Sequence, residues 1–288
     1  MDHGTDTRGQ VVRHEGETNS VDLSELLSLA VNAATRAGEA LRAHVGGRVE
    51  HASVRATAET KSSATDLVTA ADRESEQLIV DLLLSSRPDD GIVGEEGSKR
   101  QGTSGIEWVI DPIDGTTNFF YRNPGFSISI AASDADGALV GVVHDPMRAE
   151  TFSAVRGKGA WLNGESLAAP STVPPITEAL VATGFSYSAE LRRRQAQLLP
   201  DVLATVRDIR RGGSVALDLC YVAAGRLDAF YEAMPKRWDI EAGVLVISES
   251  GRVARSVDEI LDGTPTLVTG PEGLVDELTA LLLRAGER

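Results

Sequence analysis

Two carboxylates three residues apart, in the string Trp108-Val-Ile-Asp111-Pro-Ile-Asp114-Gly-Thr-Thr-Asn118-Phe, are the residues of this 288-residue chain best placed to do chemistry. The apolar run Trp108–Ile110 reads as a strand that ends at Asp111. Pro112 stiffens the turn that follows, and Gly115 lets backbone come close to a ligand. Gly115, Thr116 and Thr117 read as the opening of a short helical turn whose N–H groups point at an anion. The segment can thus hold cations on its carboxylates and a phosphate on its amides. Asp-Pro and Asp-Gly are each ordinary turn dipeptides; two acids, a fixed turn and an anion-binding helix start in one string are not.

Three more strings carry acids in suggestive places. Gly94-Glu95-Glu96-Gly97 follows a short strand, Ile92-Val93, one element before Asp111; alone it would be a solvated loop. Trp238-Asp239-Ile-Glu-Ala-Gly243 puts Asp239 at a predicted helix N-terminus, where capping alone would explain it. Lys61-Ser-Ser-Ala-Thr-Asp66-Leu-Val-Thr69-Ala-Ala-Asp72 puts Asp72 near the start of another helix, where its charge suits the helix dipole. Cys and His are absent from all four strings. An all-oxygen donor set matches Mg²⁺, which takes oxygen ligands and keeps several waters.

The elements that must position these residues follow from periodicity. Leu23, Leu26, Leu27, Ala30, Ala34, Ala37 and Leu41 recur at helical spacing, and Asp22 with Glu25 resembles a capping box. Residues 46–65 have no strong pattern and read as a mobile loop or short hairpin. A second helix runs from Thr69 through Leu84, and residues 98–106 read as a loop. Then come β-type runs over Phe126–Ala132, Ala138–His144 and Thr151–Val155, separated by Asp134-Ala-Asp-Gly137 and Asp145-Pro146 turns, with a further hairpin over Gly157–Gly164. These predict an antiparallel meander. Residues 165–178, with three prolines, mark the junction to a second half in which strands and helices alternate. Its strands are expected at 180–183, 208–211, 227–231 and 266–268, and its helices at 189–206, 214–224, 239–250 and 274–284. The expected organisation is a tail over 1–20, an α+β metal-binding domain over 21–165 and an α/β domain over 166–288.

Composition narrows the function classes. The formal net charge of −15 and the absence of any long Lys/Arg run disfavour direct nucleic-acid binding. An acidic protein acting on anionic esters needs positive charge at its site, and metal ions held by its acids would supply it. One cysteine, Cys220, allows no internal disulfide and no Cys-based zinc site, which fits a reducing cytoplasm. The first residues lack a signal peptide's apolar core, and no apolar run reaches the roughly 20 residues of a membrane span.

In this order, the four acidic strings resemble those of the inositol monophosphatase family of metal-dependent phosphatases. The resemblance runs from about Asp22 to Glu272 and rests chiefly on the Asp111–Asn118 and Trp238–Gly243 strings. The segment Ile209-Arg-Arg-Gly-Gly213-Ser-Val215-Ala-Leu-Asp-Leu-Cys, followed by Ala224-Gly-Arg-Leu-Asp-Ala-Phe-Tyr-Glu232, looks like the family's substrate side. One departure is Arg252, where many relatives have a second glycine after Gly251. The resemblance implies a layered αβαβα sandwich like that of fructose-1,6-bisphosphatase. It implies two or three Mg²⁺ per subunit: one on Glu95, Asp111 and the Ile113 carbonyl, a second on Asp111, Asp114 and Asp239, and a weaker third near Glu95. Thr116 and Glu95 would orient and deprotonate the attacking water, Asp72 would hold the Thr116 hydroxyl, and the amides of Gly115 and Thr116 would bind phosphate oxygens. Asp114, Gly213, Val215, Glu232 and Asp239 would face the substrate alcohol, a small phosphorylated polyol. A cytoplasmic homodimer inhibited by lithium is implied as well. Within the family, Thr117-Asn118 after Thr116 favours inositol monophosphate over histidinol phosphate, fructose 1,6-bisphosphate and 3′-phosphoadenosine nucleotides. The alternative of another class is a regulatory protein bound to the transcription machinery.

Overall fold

A computed structural model describes residues 21–45, 59–60, 67–68, 70–169 and 171–287. The expected tail over 1–20, most of the 46–65 segment, and Lys61, Asp66 and Thr69 lie outside the described residues. Inside that segment β1 (Glu59–Thr60) pairs antiparallel with β2 (Leu67–Val68), just beyond it.

Helix α1 (Leu23–Val45) begins where Asp22 Oδ1 accepts the amides of Ser24 at 2.9 Å and Glu25 at 3.4 Å, the Asp half of the expected box. Helix α2 (Ala70–Ser86) follows. The meander is present: β5 (Glu107–Asp114), β6 (Ser127–Asp134), β7 (Gly137–Asp145), β8 (Glu150–Val155), β9 (Gly159–Leu162) and β10 (Glu165–Leu167) pair antiparallel in succession. Two strands extend it beyond β5: β3 (Gly91–Gly94), parallel to β5, and β4 (Lys99–Arg100), antiparallel to β3. The eight run in the order β10-β9-β8-β7-β6-β5-β3-β4. β4 lies within the expected 98–106 loop. Only two residues long, exposed and charged, it carries no periodicity to read.

The second sheet has the order β12-β11-β13-β15-β14, from β11 (Leu180–Thr183), β12 (Asp208–Arg210), β13 (Ala229–Ala233), β14 (Val253–Val257) and β15 (Thr266–Gly270). β14 has no counterpart among the expected strands, because its arginine and serine interrupt the apolar pattern. β13 starts two residues later than expected. Asp228 is occupied in a turn, its amide donating to Leu180 O at 2.9 Å and its carboxylate accepting the Leu180 amide at 2.7 Å. The helices of this half are α4 (Ala189–Thr205), α5 (Val215–Ala223), α6 (Arg237–Glu249) and α7 (Glu272–Gly286), preceded in chain order by the short α3 (Thr116–Phe120) of the first half.

Alternation along the strands builds the layers, since successive side chains point to opposite faces. Trp108 and Ile110 of β5 join α1 and α2 in one core; Val109, between them, faces α5 and α6 in a second. In the other sheet, Ala182 and Phe230 enter that same second core, while Val181, Ala229 and Tyr231 face α4 and α7 in a third. The result is a five-layer αβαβα sandwich, as the resemblance implied. The middle layer is tight: a Cβ on Gly141 of β7 would come within 2.8 Å of Ala242 O in α6, so only glycine lets that helix settle on the sheet. Buried Trp108 donates from Nε1 to Asp90 at 2.9 Å, which satisfies the one polar atom of its ring. Among the described residues no helix is long and apolar enough to cross a membrane.

Candidate active site

The strand carrying Asp111 does not end there. β5 continues through Asp114, which pairs with Ser127, and its register breaks between Asp111 and Asp114. This corrects the expected boundary and has a consequence. In a regular strand, residues three apart point to opposite faces. The irregularity at Pro112-Ile113 brings both carboxylates onto one cavity, of about 490 Å³. Asp111 Oδ1 accepts the Ile113 amide at 3.0 Å, which fixes the turn. Gly115 then adopts φ 93°; a Cβ there would meet Gly213 O at 3.0 Å and Gly125 O at 3.1 Å. Three loops converge on that point. Asn118 ties two of them, donating to Gly125 O at 2.7 Å and Gly212 O at 2.9 Å.

Asp114 spans the molecule. Its carboxylate accepts the Ser214 hydroxyl at 2.5 Å and the amides of Val215 at 3.3 Å and Ala216 at 2.7 Å, at the N-terminus of α5. Three of its roughly four acceptor positions are taken, leaving one for the cavity. Asp239 is not the cap residue of α6 but stands in its first turn, one oxygen accepting the Lys236 amide at 2.7 Å. Glu95 follows β3 and is held through its own amide to Ile110 O at 3.1 Å. Thr116 Oγ1 lies 3.3 Å from Asp72 Oδ1 and 3.1 Å from Ile113 O; its single proton serves one of them at a time.

Glu95, Asp111, Ile113, Asp114, Gly115, Thr116, Gly213, Val215, Glu232 and Asp239 all line the one cavity. Of the expected catalytic, metal-holding and substrate-facing residues, Asp72 is the one that stands behind it, buried beneath Thr116. Burial raises the Asp111 carboxyl well above the ordinary range, and the charges of Glu95, Asp114 and Asp239 raise it further. Burial and Asp114 raise Asp239 in the same way. Asp114 is pushed by burial up to about 6, restrained by the Ser214 hydroxyl and the α5 amides. So much desolvated negative potential on one wall calls for a cation. Among the described residues no three acidic, His or Cys groups form a ready-made cage for a single ion. The acids are instead strung along the wall beside a backbone carbonyl. That all-oxygen set, with room for water, fits a hard divalent cation.

The sequence profile of the inositol monophosphatase family matches residues 22–283 of this chain. The chain belongs to that family. The inositol-1-monophosphatase SuhB of Mycobacterium tuberculosis (strain H37Rv) is 42% identical over 233 residues, covering 78% of this chain and 80% of that protein. The Nus factor SuhB of Escherichia coli (strain K12) is 38% identical over 247 residues, covering 85% and 89%. Among solved structures, the extragenic suppressor protein SuhB of Bartonella henselae superposes with a TM-score of 0.80 at 32% identity, covering 90% of this chain and 98% of that one.

Further residues shape the site of this inositol monophosphatase family member, and sequence reasoning passed over some of them, Glu76 first. Glu76 of α2, buried, accepts the amides of Glu96 at 2.8 Å and Ser98 at 2.9 Å and so fixes the loop carrying Glu95. Nothing in a helix already rich in acids marks it out. Asp218 is a buried acid in the apolar run of α5, which is a readable signal. It lines the cavity, where burial and the nearby Asp114 lift its carboxyl to about 8 against the pull of Arg211. Glu232 is also lifted to about 8, by burial first, with Arg211 opposing. Ser127 and Ser129 of β6 reach across to the second half, at Ser214 Oγ (3.1 Å) and Trp238 O (3.1 Å). Arg252, the departure noted above, is buried away from the site. Its Nη1 donates to Ala168 O at 3.2 Å, Ser250 O at 3.3 Å and Ser250 Oγ at 3.1 Å, pinning the end of α6 to the segment after β10.

Proposed function

We propose that this chain is a Mg²⁺-dependent phosphomonoesterase that hydrolyses myo-inositol monophosphate to inositol and phosphate. One observation carries the reading: four acids from three separated segments, Glu95, Asp111 with Asp114, and Asp239, share a cavity with the Gly115-Thr116 backbone. Glu95, Asp111 and the Ile113 carbonyl would hold one ion, and Asp111, Asp114 and Asp239 a second, with a weaker third near Glu95. When bound, such ions acidify water and neutralise charge on the transferring phosphoryl group and leaving oxygen.

The chain's own residues do the rest. Thr116 orients the attacking water, and Glu95 takes its proton as the new P–O bond forms. Asp72 holds the Thr116 hydroxyl in place. The amides of Gly115 and Thr116 bind phosphate oxygens, in the manner of preorganised donors aimed at developing charge. The ester P–O bond breaks opposite the incoming oxygen, and the alkoxide leaves toward Glu232, Asp239, Gly213 and Val215, taking a proton from solvent water to become the alcohol, whose hydroxyls hydrogen-bond the carboxyl oxygens there. The same reading carries a cytoplasmic homodimer sensitive to lithium.

The test is phosphate release after chelation and Mg²⁺ re-addition, with kcat/KM compared for inositol 1-phosphate, histidinol phosphate, fructose 1,6-bisphosphate and 3′-phosphoadenosine 5′-phosphate. Activity is expected to vanish with chelator, return with Mg²⁺ and be greatest on inositol 1-phosphate. Preference for another of the four would overturn the substrate; no hydrolysis at all would overturn the activity. A second reading, a partner of the transcription machinery, draws support from relatives named Nus factor. A complete set of cavity acids favours hydrolysis, since binding alone has no need of it.

A further inference from the structure

Among the described residues, five non-glycine side chains sit in the left-handed backbone region: Arg122, Ala149, Asn163, Met234 and Asp262. Asn and Asp tolerate that conformation. Met does not, and Met234 holds φ 62° directly between Ala233 of β13 and Pro235. Glycine would remove the strain at no steric cost. What glycine cannot supply is a side chain, and Met234 is the one of the five that lines the cavity. It is 45% exposed, and Tyr187, on the loop after β11, is 41% exposed on the same cavity. Phe185 and Pro235 extend this apolar lining, while Asp218 and Glu232 supply the polar part. Strain retained at the rim of a site points to use of the group that causes it.

We propose that Met234 is a specificity-determining residue that rests, with Tyr187, against an apolar face of the substrate's alcohol. Beside inositol monophosphate, which offers this lip only its ring C–H face, the site should therefore accept esters whose alcohol presents an apolar or aromatic face there. This rests on the phosphatase reading above and adds to it the class of alcohol accepted. Thioether side chains adapt to flat rings and make favourable sulfur–aromatic contacts, which suits such a lip.

The experiment compares kcat/KM for benzyl phosphate and inositol 1-phosphate in the full-length protein with Mg²⁺, for wild type, Met234→Gly and Met234→Asn. Gly removes the side chain. Asn keeps one, suits a left-handed backbone, and replaces the apolar contact with a polar amide. In both variants the benzyl-to-inositol ratio is expected to fall by about tenfold, the lower end of what one apolar pocket contact discriminates. Turnover of inositol 1-phosphate is expected to fall as well, by less than that of benzyl phosphate. A ratio unchanged in either variant would overturn the role of Met234 while leaving the phosphatase intact. A wild-type protein that hydrolyses neither ester would overturn both readings together.

Discussion

The acids on the first-sheet wall of the cavity are anchored by hydrogen bonds, whereas Glu232 on the second-sheet wall is held by packing and charge. On the first, Asp111 is fixed by the Ile113 amide and Asp114 by a hydroxyl and two amides at the N-terminus of α5. On the second, the Glu232 carboxylate makes no side-chain hydrogen bond among the described residues. It sits so close over Gly184 that a Cβ there would be 1.8 Å away. Its electrostatic partner is Arg211, from the loop before α5. Rigid anchoring suits groups that must meet a reacting phosphoryl with small tolerance, while an acid held by packing and charge can be re-aimed for a different alcohol. The lesson is a division of labour: the β5 side carries the chemistry and the β11–β13 side the choice of substrate.

The sharpest way to break that division is Asp111→Asn. It removes charge from an acid central to the first wall and should lower kcat by at least about 10²–10³-fold, with an unchanged circular dichroism spectrum. Turnover near wild type would end the assignment. A milder change is expected from Glu232→Gln. If the second wall selects the alcohol, KM for inositol 1-phosphate should rise by about tenfold while kcat moves much less; a collapse of kcat at constant KM would erase the distinction between the walls.

The smallest effect is on stability. The Asp218 and Glu232 carboxyls are raised to about 8 in the folded protein, well above the roughly 4 of an unfolded chain. A raised acid favours the folded state below its unfolded pKa, and that contribution is lost as pH rises through the folded value. Chelator-treated protein should therefore melt progressively lower from about pH 4 to pH 8. Asp218→Asn should flatten that slope and raise the melting temperature at pH 9 by roughly 2–4 °C. A slope identical to that of wild type would show that Asp218 does not titrate in this window.

Much of this was legible beforehand because the chemistry is written locally. The Asp111–Asn118 string contains two acids, a stiff turn and a glycine at a left-handed position, and each of these acts within a few residues. The meander could be read from alternating apolar runs broken by turn residues, and the helices from their spacing. What escaped depends on long-range partners. Glu76 looks like any helical acid until the loop after β3 folds onto it. β4 and β14 exist because neighbouring strands pair with them, not because their own residues demand it. Asp239 was legible as an acid at a helix start, but its exact place in the first turn depends on where Pro235 and Lys236 let α6 begin. Met234 reads as one more apolar residue, and only its backbone angle marks it.

The cross-links from the first sheet to α5 and α6 of the second half, through Asp114, Ser127 and Ser129, make the cavity a product of assembly rather than a property of either half. Neither portion of the chain, expressed by itself, would display a functional pocket. Hydrolysis could therefore serve as a sensitive reporter of tertiary docking, fading when the sheets slide against each other even while each still holds its own helices.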